Sequence, residues 1–450
     1  MYDLIVIGGG PAGYVGAIRA AELGGKVALV ERAELGGTCL NWGCIPTKAL
    51  LKSAQVYHYC RSAKSFGVAV EGEVKPDLRA MIARSRQVAT TTGRGVEMLL
   101  KKSGVEVITG SAELASAHEV KVGDATYETK NILLATGASP REVSSIPIDH
   151  KFVLSSRDTL MLEELPETMV VVGSGAIGSE FAFLYASLGV KVTVVEYLPQ
   201  FMPLLDAEVS AAAERAFRRQ RITVMTNTAV KGVSVVDGKC VVEVEQKGET
   251  KQIVADKVLS AVGIKSNIEG LGLDKAGVQV ERDKVIVDND FQTSVSGIYA
   301  VGDIIASPAL AHIASAEAVN CVERIFGANP PQIDYSLTPA CIFTTPEIAS
   351  VGLTEEQAQK QGLEYKVARY NFASSGKAAA AGDRDGFVKL IFDAENKLRG
   401  AHIIGANVVE MLGEPSVAMT LGATAADLAR TIHAHPSLYE GIMEAAKSLQ

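Results

Sequence analysis

The chain has 450 residues, a formal net charge of −8, 47% hydrophobic residues and 42 glycines. It is too long for one ordinary core, so about two to four domains are expected, in a compact α/β protein rather than a disordered or fibrous one. The negative balance speaks against nucleic acid as the main partner. No apolar run reaches the ~18 residues of a membrane span, so no membrane partner is expected either. The six cysteines include four scattered ones, Cys60, Cys240, Cys321 and Cys341, and so make no secreted disulfide framework. No metal site is expected. The start, Tyr2-Asp-Leu-Ile-Val-Ile-Gly8, lacks the basic region and cleavage site of a signal peptide. The expected setting is a reducing cytoplasm, in which a lasting disulfide is catalytic rather than structural.

The first residues read as a strand (Leu4 to Ile7), a glycine turn, a helix (Ala12 to Leu23), a strand (Lys26 to Val30) and then Glu31. The turn Gly8-Gly-Gly-Pro-Ala-Gly13 has glycine at each place where a dinucleotide loop needs it. Gly8 permits the tight turn, Gly10 lets backbone N–H groups approach a diphosphate, and Gly13 lets helix and strand pack closely. The helix N-terminus stabilises the diphosphate charge, and Glu31 is placed to accept from a ribose diol.

Cys39 and Cys44 follow, in Gly36-Gly-Thr-Cys-Leu-Asn-Trp-Gly-Cys-Ile-Pro-Thr-Lys48. Within one helix, at about 1.5 Å per residue, such a pair would lie roughly 7.5 Å apart and on different faces. A disulfide needs Cα atoms within about 7 Å. Cys39 is therefore expected in a turn, with a helix starting near Cys44. Pro46 suits that start, and a helix N-terminus favours thiolate character at Cys44. Two unrelated buried cysteines is the alternative reading.

Residues 50–103 look mostly helical, broken near Gly67 to Pro76, and Ile132-Leu-Leu-Ala-Thr-Gly-Ala138 is a strand entering a glycine turn. Residues 169–196 then repeat the opening grammar: a strand from Met169, the turn Gly173-Ser-Gly-Ala-Ile-Gly178, a helix to Leu188, a strand from Lys191 to Val195, and Glu196. In both copies the acid follows the first glycine by 23 residues. Two dinucleotides are implied. A 2′-phosphate would need basic residues beside Glu196, and Tyr197-Leu198-Pro199 supplies none, so NAD is favoured over NADP; an acid making only a structural contact is the alternative. The segment Ser296-Gly-Ile-Tyr-Ala-Val-Gly-Asp303 is a strand ending on an aspartate, beyond the carboxyl end where α/β sheets hold ligands. Asp303 is thus placed to meet a ribityl hydroxyl, or serves as a cap alone.

After Pro339 the character changes. Strands are expected at Val367–Asn371 and Phe387–Phe392, with helices near 354–361, 408–421 and 424–429. The chain closes on Thr431-Ile-His-Ala-His-Pro-Ser-Leu-Tyr-Glu440 and a short helix. His435 precedes a proline, which pushes it out of the α region. Pro436 is expected to open a helix that carries Glu440, whose carboxylate would orient the imidazole as a general base. An ordinary His-Pro helix start with an exposed glutamate is the other reading. His433 reads as structural.

Taken together these motifs resemble the flavoprotein disulfide reductases (class I pyridine nucleotide-disulfide oxidoreductases) along the whole length, and the Cys39–Cys44 segment is the most specific part of the match. Within that family the resemblance points to the branch that oxidises protein-bound dihydrolipoamide with NAD. It implies an α/β fold of two Rossmann-like domains, for FAD and NAD, plus a C-terminal α+β dimerisation domain. The FAD domain is expected at 1–142 and 268–336, the NAD domain at 143–267 and the interface domain at 337–450. By resemblance Cys39 and Cys44 form the redox-active disulfide, Cys44 nearer the flavin and Cys39 reacting with substrate. Lys48 would lie near the flavin with Glu180 as its ionic partner. His435, held by Glu440, would be the base and would reach the disulfide of the other subunit of a homodimer. Ala112, Thr136, Gly137, Ala138, Asp303, Ala309, Leu310, Ala311 and His312 match further FAD contacts. Gly173, Gly175, Ala176, Ile177, Gly178, Glu180, Glu196, Val230 and Gly263 match NAD contacts.

The partner implied is a lipoyl-bearing acyltransferase or glycine-cleavage carrier protein, and no lipoyl-bearing domain is expected ahead of the reductase domains. This sequence departs from the family pattern at Trp42, usually a smaller residue, at Gly263-Ile-Lys-Ser-Asn267, where an arginine commonly follows the glycine, and at Ile313, often lysine. Glutathione reductase would need arginines beside Glu196, and mercuric reductase a C-terminal cysteine pair, whereas the last cysteine is Cys341. A non-catalytic FAD-binding redox sensor would be expected to lack one of Cys39, Cys44, Lys48, His435 and Glu440.

Overall fold

The computed structural model describes residues 1–449. The chain forms two compact units, one of Met1–Leu50, Arg79–Arg141 and Ile264–Tyr335, the other of Leu51–Leu78, Glu142–Gly263 and the residues from Ser336 on. Both carry a parallel sheet, and the second also carries an antiparallel sheet with its own helices, so the α/β class with a C-terminal α+β part holds.

In the first unit, β1 (Tyr2–Ile7), α1 (Pro11–Glu22) and β2 (Val27–Glu31) follow the expected plan. Leu4, Ile5, Val6 and Leu29 are fully buried, as continuous apolar strands of a parallel sheet covered on both faces should be. Two helices come next, α2 (Gly37–Trp42) and α3 (Cys44–Ser62), and then the long α4 (Leu78–Lys102). β3 (Glu106–Thr109) completes the parallel edge, in the order β3-β2-β1-β6. A three-stranded antiparallel ribbon, β4 (Ala112–Ser116), β5 (Glu119–Val122) and β6 (Ala125–Leu134), extends the sheet on the other side. The end of β6 pairs in parallel with both β1 and the strand Ile298–Ala300. The later helix Ala311–Ile325 packs on α1 through small residues: a Cβ on Gly16 would lie 3.2 Å from the Ala318 methyl.

In the second unit a five-stranded parallel sheet runs in the order Thr223–Met225, Lys191–Val195, Thr168–Val172, Lys257–Ser260, Val153–Leu154, with the helix Ala176–Ser187 following its central strand. A three-stranded antiparallel ribbon covers Thr228–Ala255. The C-terminal sheet is antiparallel, Ala340–Ile342, Glu347–Gly352, Leu398–Gly405, Phe387–Asp393, Tyr365–Asn371. The helix expected over 408–421 comes as two pieces, Val408–Met411 and Gly413–Thr420. Pro415 has no N–H to continue a helical ladder and is tolerated only in a first turn, which is where the break puts it. Lys389 is buried in this sheet, its ammonium 2.9 Å from both Asp206 oxygens and 2.7 Å from Glu355. A buried charge persists only when paired in this way.

The opening turn is as tight as its glycines allow. Gly8 has φ +106°, and a Cβ on Gly13 would fall 1.7 Å from the Gly8 carbonyl oxygen. Gly13→Ala should push α1 off β1 and lower the denaturant midpoint of unfolding, an overpacking cost of at least about 1–3 kcal/mol. An unchanged midpoint would contradict this close approach.

Candidate active site

The thiol pair sits where the short α2 meets the start of the longer α3. Gly36 caps α2 in a left-handed conformation, φ +94°, and Gly43, at φ −147° and ψ −110°, ends it. Cys44 opens α3, as its distance from Pro46 suggested. Cys39 does not lie in a turn: it is in the middle of α2. The steric reason is Gly43, which breaks the ladder between the cysteines so that each thiol occupies its own helix and the two can still converge. The Gly43 carbonyl accepts the Thr47 N–H at 3.1 Å and the Thr47 hydroxyl at 2.6 Å, which fixes the joint from the Cys44 side. Both cysteines are free thiols and half-buried, in hydrogen-bond contact with one another. That contact, followed by burial, pushes the Cys39 thiol far above the ordinary range, while Lys48 opposes the rise. Two sulfurs so close do not both ionise, and together they have the dithiol form of a redox pair.

The two glycine turns are copies in atomic detail. Gly173 has φ +99°, and a Cβ on Gly178 would fall 2.0 Å from the Gly173 carbonyl oxygen. Gly10 and Gly175 cap their helices in nearly the same extended conformation, and neither helix N-terminus has a side-chain cap. A Cβ on Gly175 would meet nothing within 4 Å, and one on Gly10 nothing nearer than 3.9 Å. Uncapped first-turn amides facing open space are what a diphosphate requires. Ala176 and Ile177 are the first residues of the second helix.

The two acids are also used alike. Glu31 accepts the N–H of Gly9 at 2.6 Å and of Ala33 at 2.7 Å. Glu196 accepts the N–H of Ser174 at 2.8 Å and of Leu198 at 2.9 Å, plus the Ser174 hydroxyl at 2.8 Å. Each carboxylate therefore braces its own glycine turn. Of the two readings for Glu196, the structural contact is present, and its Oε1 keeps a lone pair for a ribose hydroxyl.

Asp303 lies in a 3-10 turn, Gly302–Ile304, beyond the strand Ile298–Ala300 rather than at its last residue. Glycine at 302, with φ +75°, ends the strand early. Burial raises the Asp303 carboxyl above the usual range. Its main chain is held from both sides. Glu317 accepts the Gly302 N–H at 2.7 Å and the Tyr335 hydroxyl at 2.8 Å, and the Asp303 carbonyl accepts from Ser266 Oγ at 2.9 Å and Lys284 Nζ at 2.5 Å. Glu317 was not visible in the sequence as a site residue, because a lone glutamate in an amphipathic helix reads as solvent-facing; it is fully buried. Thr136 and Gly137 are tied to Asn267, through Thr136 Oγ1 to the Asn267 carbonyl at 2.7 Å and the Asn267 N–H to the Gly137 carbonyl at 2.9 Å. Ala138 opens a strand paired with Ile264–Ser266, and Ala112 opens β4. Ala309 and Leu310 precede the helix that Ala311 and His312 begin.

In the second unit, Glu180 is buried in the helix Ala176–Ser187 and accepts the Phe343 N–H at 3.1 Å. Val230 lies in the strand Thr228–Val236, and Gly263, φ +112°, follows the strand Lys257–Ser260. His435 Nδ1 stands 2.8 Å from Glu440 Oε1, and Glu440 Oε2 accepts the Ser437 N–H at 2.8 Å. Those two contacts, the backbone one first, hold the Glu440 carboxyl below its usual range. Pro436 does not open the helix, which starts at Glu440. The Ser437 N–H is turned to the Glu440 carboxylate, so residues 436–439 form a bend around the acid. The His435 side chain is 79% exposed, whereas His433 is buried between Glu414 and the Thr431 carbonyl, both at 2.8 Å, as a structural histidine should be. Among the described residues there is no cluster of metal-ligating side chains, and no helix is long and apolar enough to cross a membrane.

Residues 2–318 match the pyridine nucleotide-disulphide oxidoreductases, and residues 338–446 match the dimerisation domain of the same family. The chain belongs to this family. It is 44% identical to the dihydrolipoyl dehydrogenase of Rhizobium etli over 466 aligned positions, covering 99% of this chain and 97% of that one. With the dihydrolipoyl dehydrogenase of Chlorobaculum parvum it shares 46% over 452 positions, covering 99% and 96%. Among solved structures, LpdA of Mycobacterium tuberculosis superposes with a TM-score of 0.92 at 29% identity, over 99% of both chains. The HOCl-induced flavoprotein disulfide reductase RclA of Escherichia coli superposes with 0.89 at 28%, over all of both.

Proposed function

We propose that the chain is an NAD-dependent dihydrolipoyl dehydrogenase, working as a homodimer in the cytoplasm on the lipoyl group of an acyltransferase or a glycine-cleavage carrier protein. The contact between Cys39 and Cys44 at the start of α3 carries the reading. FAD, held at the first glycine turn, would accept the electron pair from the dithiol and pass it as hydride to NAD at the second. Gly8, Gly10, Gly13, Glu31, Ala112, Thr136 to Ala138, Asp303 and Ala309 to His312 are its proposed contacts. Gly173 to Gly178, Glu196, Val230 and Gly263 are those for NAD. Lys48 near the flavin, and Glu180 in the second unit, complete the proposal.

The chemistry of the thiols follows from their placement. With the pair oxidised, a substrate thiolate attacks Cys39 Sγ, the Cys39–Cys44 bond breaks, and Cys44 leaves as the thiolate. The second substrate thiolate attacks the substrate sulfur of the mixed disulfide, closing lipoamide and freeing Cys39, which takes a proton. Cys44 is the better leaving group because the α3 N-terminus favours its anion. His435 donates Nδ1–H to Glu440, an assignment made from the hydrogen-bond pattern. Its Nε2 is left to take the substrate proton. An exposed base in a chain that carries a dimerisation domain suits a site completed by the second subunit.

Cys39→Ser should leave FAD bound yet abolish dithiol oxidation, read by steady-state assay; a yellow variant with near-normal lipoamide turnover would sink the assignment. The wild type should prefer NAD to NADP about 100-fold or more in kcat/KM, since setting a 2′-phosphate against Glu196 costs several kcal/mol, and equal use of both would contradict the role of Glu196. General-base catalysis is worth about 10²–10⁴-fold, so His435→Gln should lower turnover by that order with FAD content unchanged. Mixing inactive Cys39→Ser and His435→Gln subunits should then restore a fraction of wild-type activity, because one site of each mixed dimer is intact. Exchange confirmed by mass without recovery would place base and disulfide in one chain.

A further inference from the structure

Between the two thiols lies a segment that helix α4 grips. Arg86 donates from Nη1 to the Asn41 carbonyl, and its guanidinium stacks over the Trp42 indole, 4.1 Å from the ring centroid. Two residues earlier on α4, Arg84 donates to the Ala49 carbonyl of α3 at 2.8 Å. Side chains two apart leave a helix on different sides, so α4 reaches the Cys39 helix with one arginine and the Cys44 helix with the other. Gly93, further along α4, admits the Leu35 carbonyl to 3.5 Å of where its Cβ would stand. From within, Asn41 Nδ2 donates to the carbonyls of Leu35 at 2.9 Å and Gly37 at 3.1 Å.

We infer that Arg86 is a positioning residue for the redox pair, holding the Leu40–Gly43 segment in the conformation in which the two sulfurs meet. The inference rests on the proposed cycling of Cys39 and Cys44 between dithiol and disulfide. A helix of six residues such as α2 is not stable alone. Its last carbonyls have no partner within the helix, and a cation is favoured there by both the hydrogen bond and the helix dipole. Asn41 supplies that carbonyl and Trp42 a flat π face, the best of the aromatic platforms for a guanidinium. A small side chain at position 42 would offer no such face. Arg86 and Trp42 therefore act as one clamp. It raises the effective concentration of one sulfur at the other, and so favours the closed disulfide over the open dithiol.

The test equilibrates the holoenzyme in glutathione redox buffers at fixed pH. Protein dithiol and glutathione disulfide exchange to protein disulfide and two glutathione thiols, and the fraction closed is read by mass after thiol trapping. Arg86→Ala should lower the equilibrium constant for closure about tenfold, which is a rise of about 30 mV in reduction potential, with FAD content retained. Trp42→Ala should shift it the same way, and the double variant should shift it no further than Arg86→Ala, since the two residues act together. Trp42 is the only tryptophan of the chain, so its emission should move to longer wavelength in Arg86→Lys, which loses the stacked plane but keeps the charge. Wild-type closure in Arg86→Ala overturns the inference. If that variant does not fold, wild-type closure in both Arg86→Lys and Trp42→Ala overturns it equally. A wild type that closes no Cys39–Cys44 bond at any glutathione ratio would instead refute the proposed function.

Discussion

The closeness of a helix to the strand before it is the constraint on which both nucleotide turns depend. At Gly13 and Gly178 the helix backbone passes so near the carbonyls of Gly8 and Gly173 that any side chain would collide with them. Only at that distance do the first-turn amides converge on one small volume, where uncapped donors and the helix dipole favour a diphosphate. The acids at 31 and 196 then reach back to the N–H groups at 9 and 174 and lock each turn. One steric economy, used twice, sets the geometry of both turns, and the thiols follow within a few residues of the first copy.

Polar groups complete the site by being held rather than by being strong. Glu317 is fully buried, a costly place for a carboxylate, and is retained by donors that also fix the turn of Asp303. Lys389 is a similar case in the second unit, where Asp206 and Glu355 surround a buried ammonium. Removing either partner would strand a charge, so these residues constrain their surroundings more than they add net stability. At the exposed end of the scale, His435 is fixed by one carboxylate that is itself anchored on a backbone N–H.

Much of this was legible in the sequence where the physics is local. Glycine spacing, alternation of strand and helix, and the acid at a constant offset located both glycine turns, because each depends on contacts made within about thirty residues. The offset from His435 to Glu440 was readable, but the bend at residues 436–439 was not, since it depends on where the Ser437 N–H finds its acceptor. Cys39 was misplaced into a turn because a six-residue helix leaves no periodic trace and Gly43 can end one as readily as it can make a turn. Of the β4-β5-β6 ribbon only the end of β6, from Ile132, was readable; β4 and β5 are short and half polar. Lys389 and Arg86 could not be read at all, because Asp206 and Asn41 lie far away in the chain, and Glu317 could not because nothing in its own helix marks a lone glutamate as buried.

The family sets the general chemistry of the fold, a thiol pair across the α2–α3 joint and a histidine held by Glu440, and one detail of this chain points to a single branch of it: an acid at 196 without basic neighbours. That acid favours turnover with NAD over turnover with NADPH. Steady-state turnover with dihydrolipoamide and NAD, measured beside turnover with glutathione disulfide and NADPH, tests that claim most directly. Rapid NADH formation in the first assay and none above background in the second is the predicted result; preference for glutathione disulfide and NADPH would contradict it.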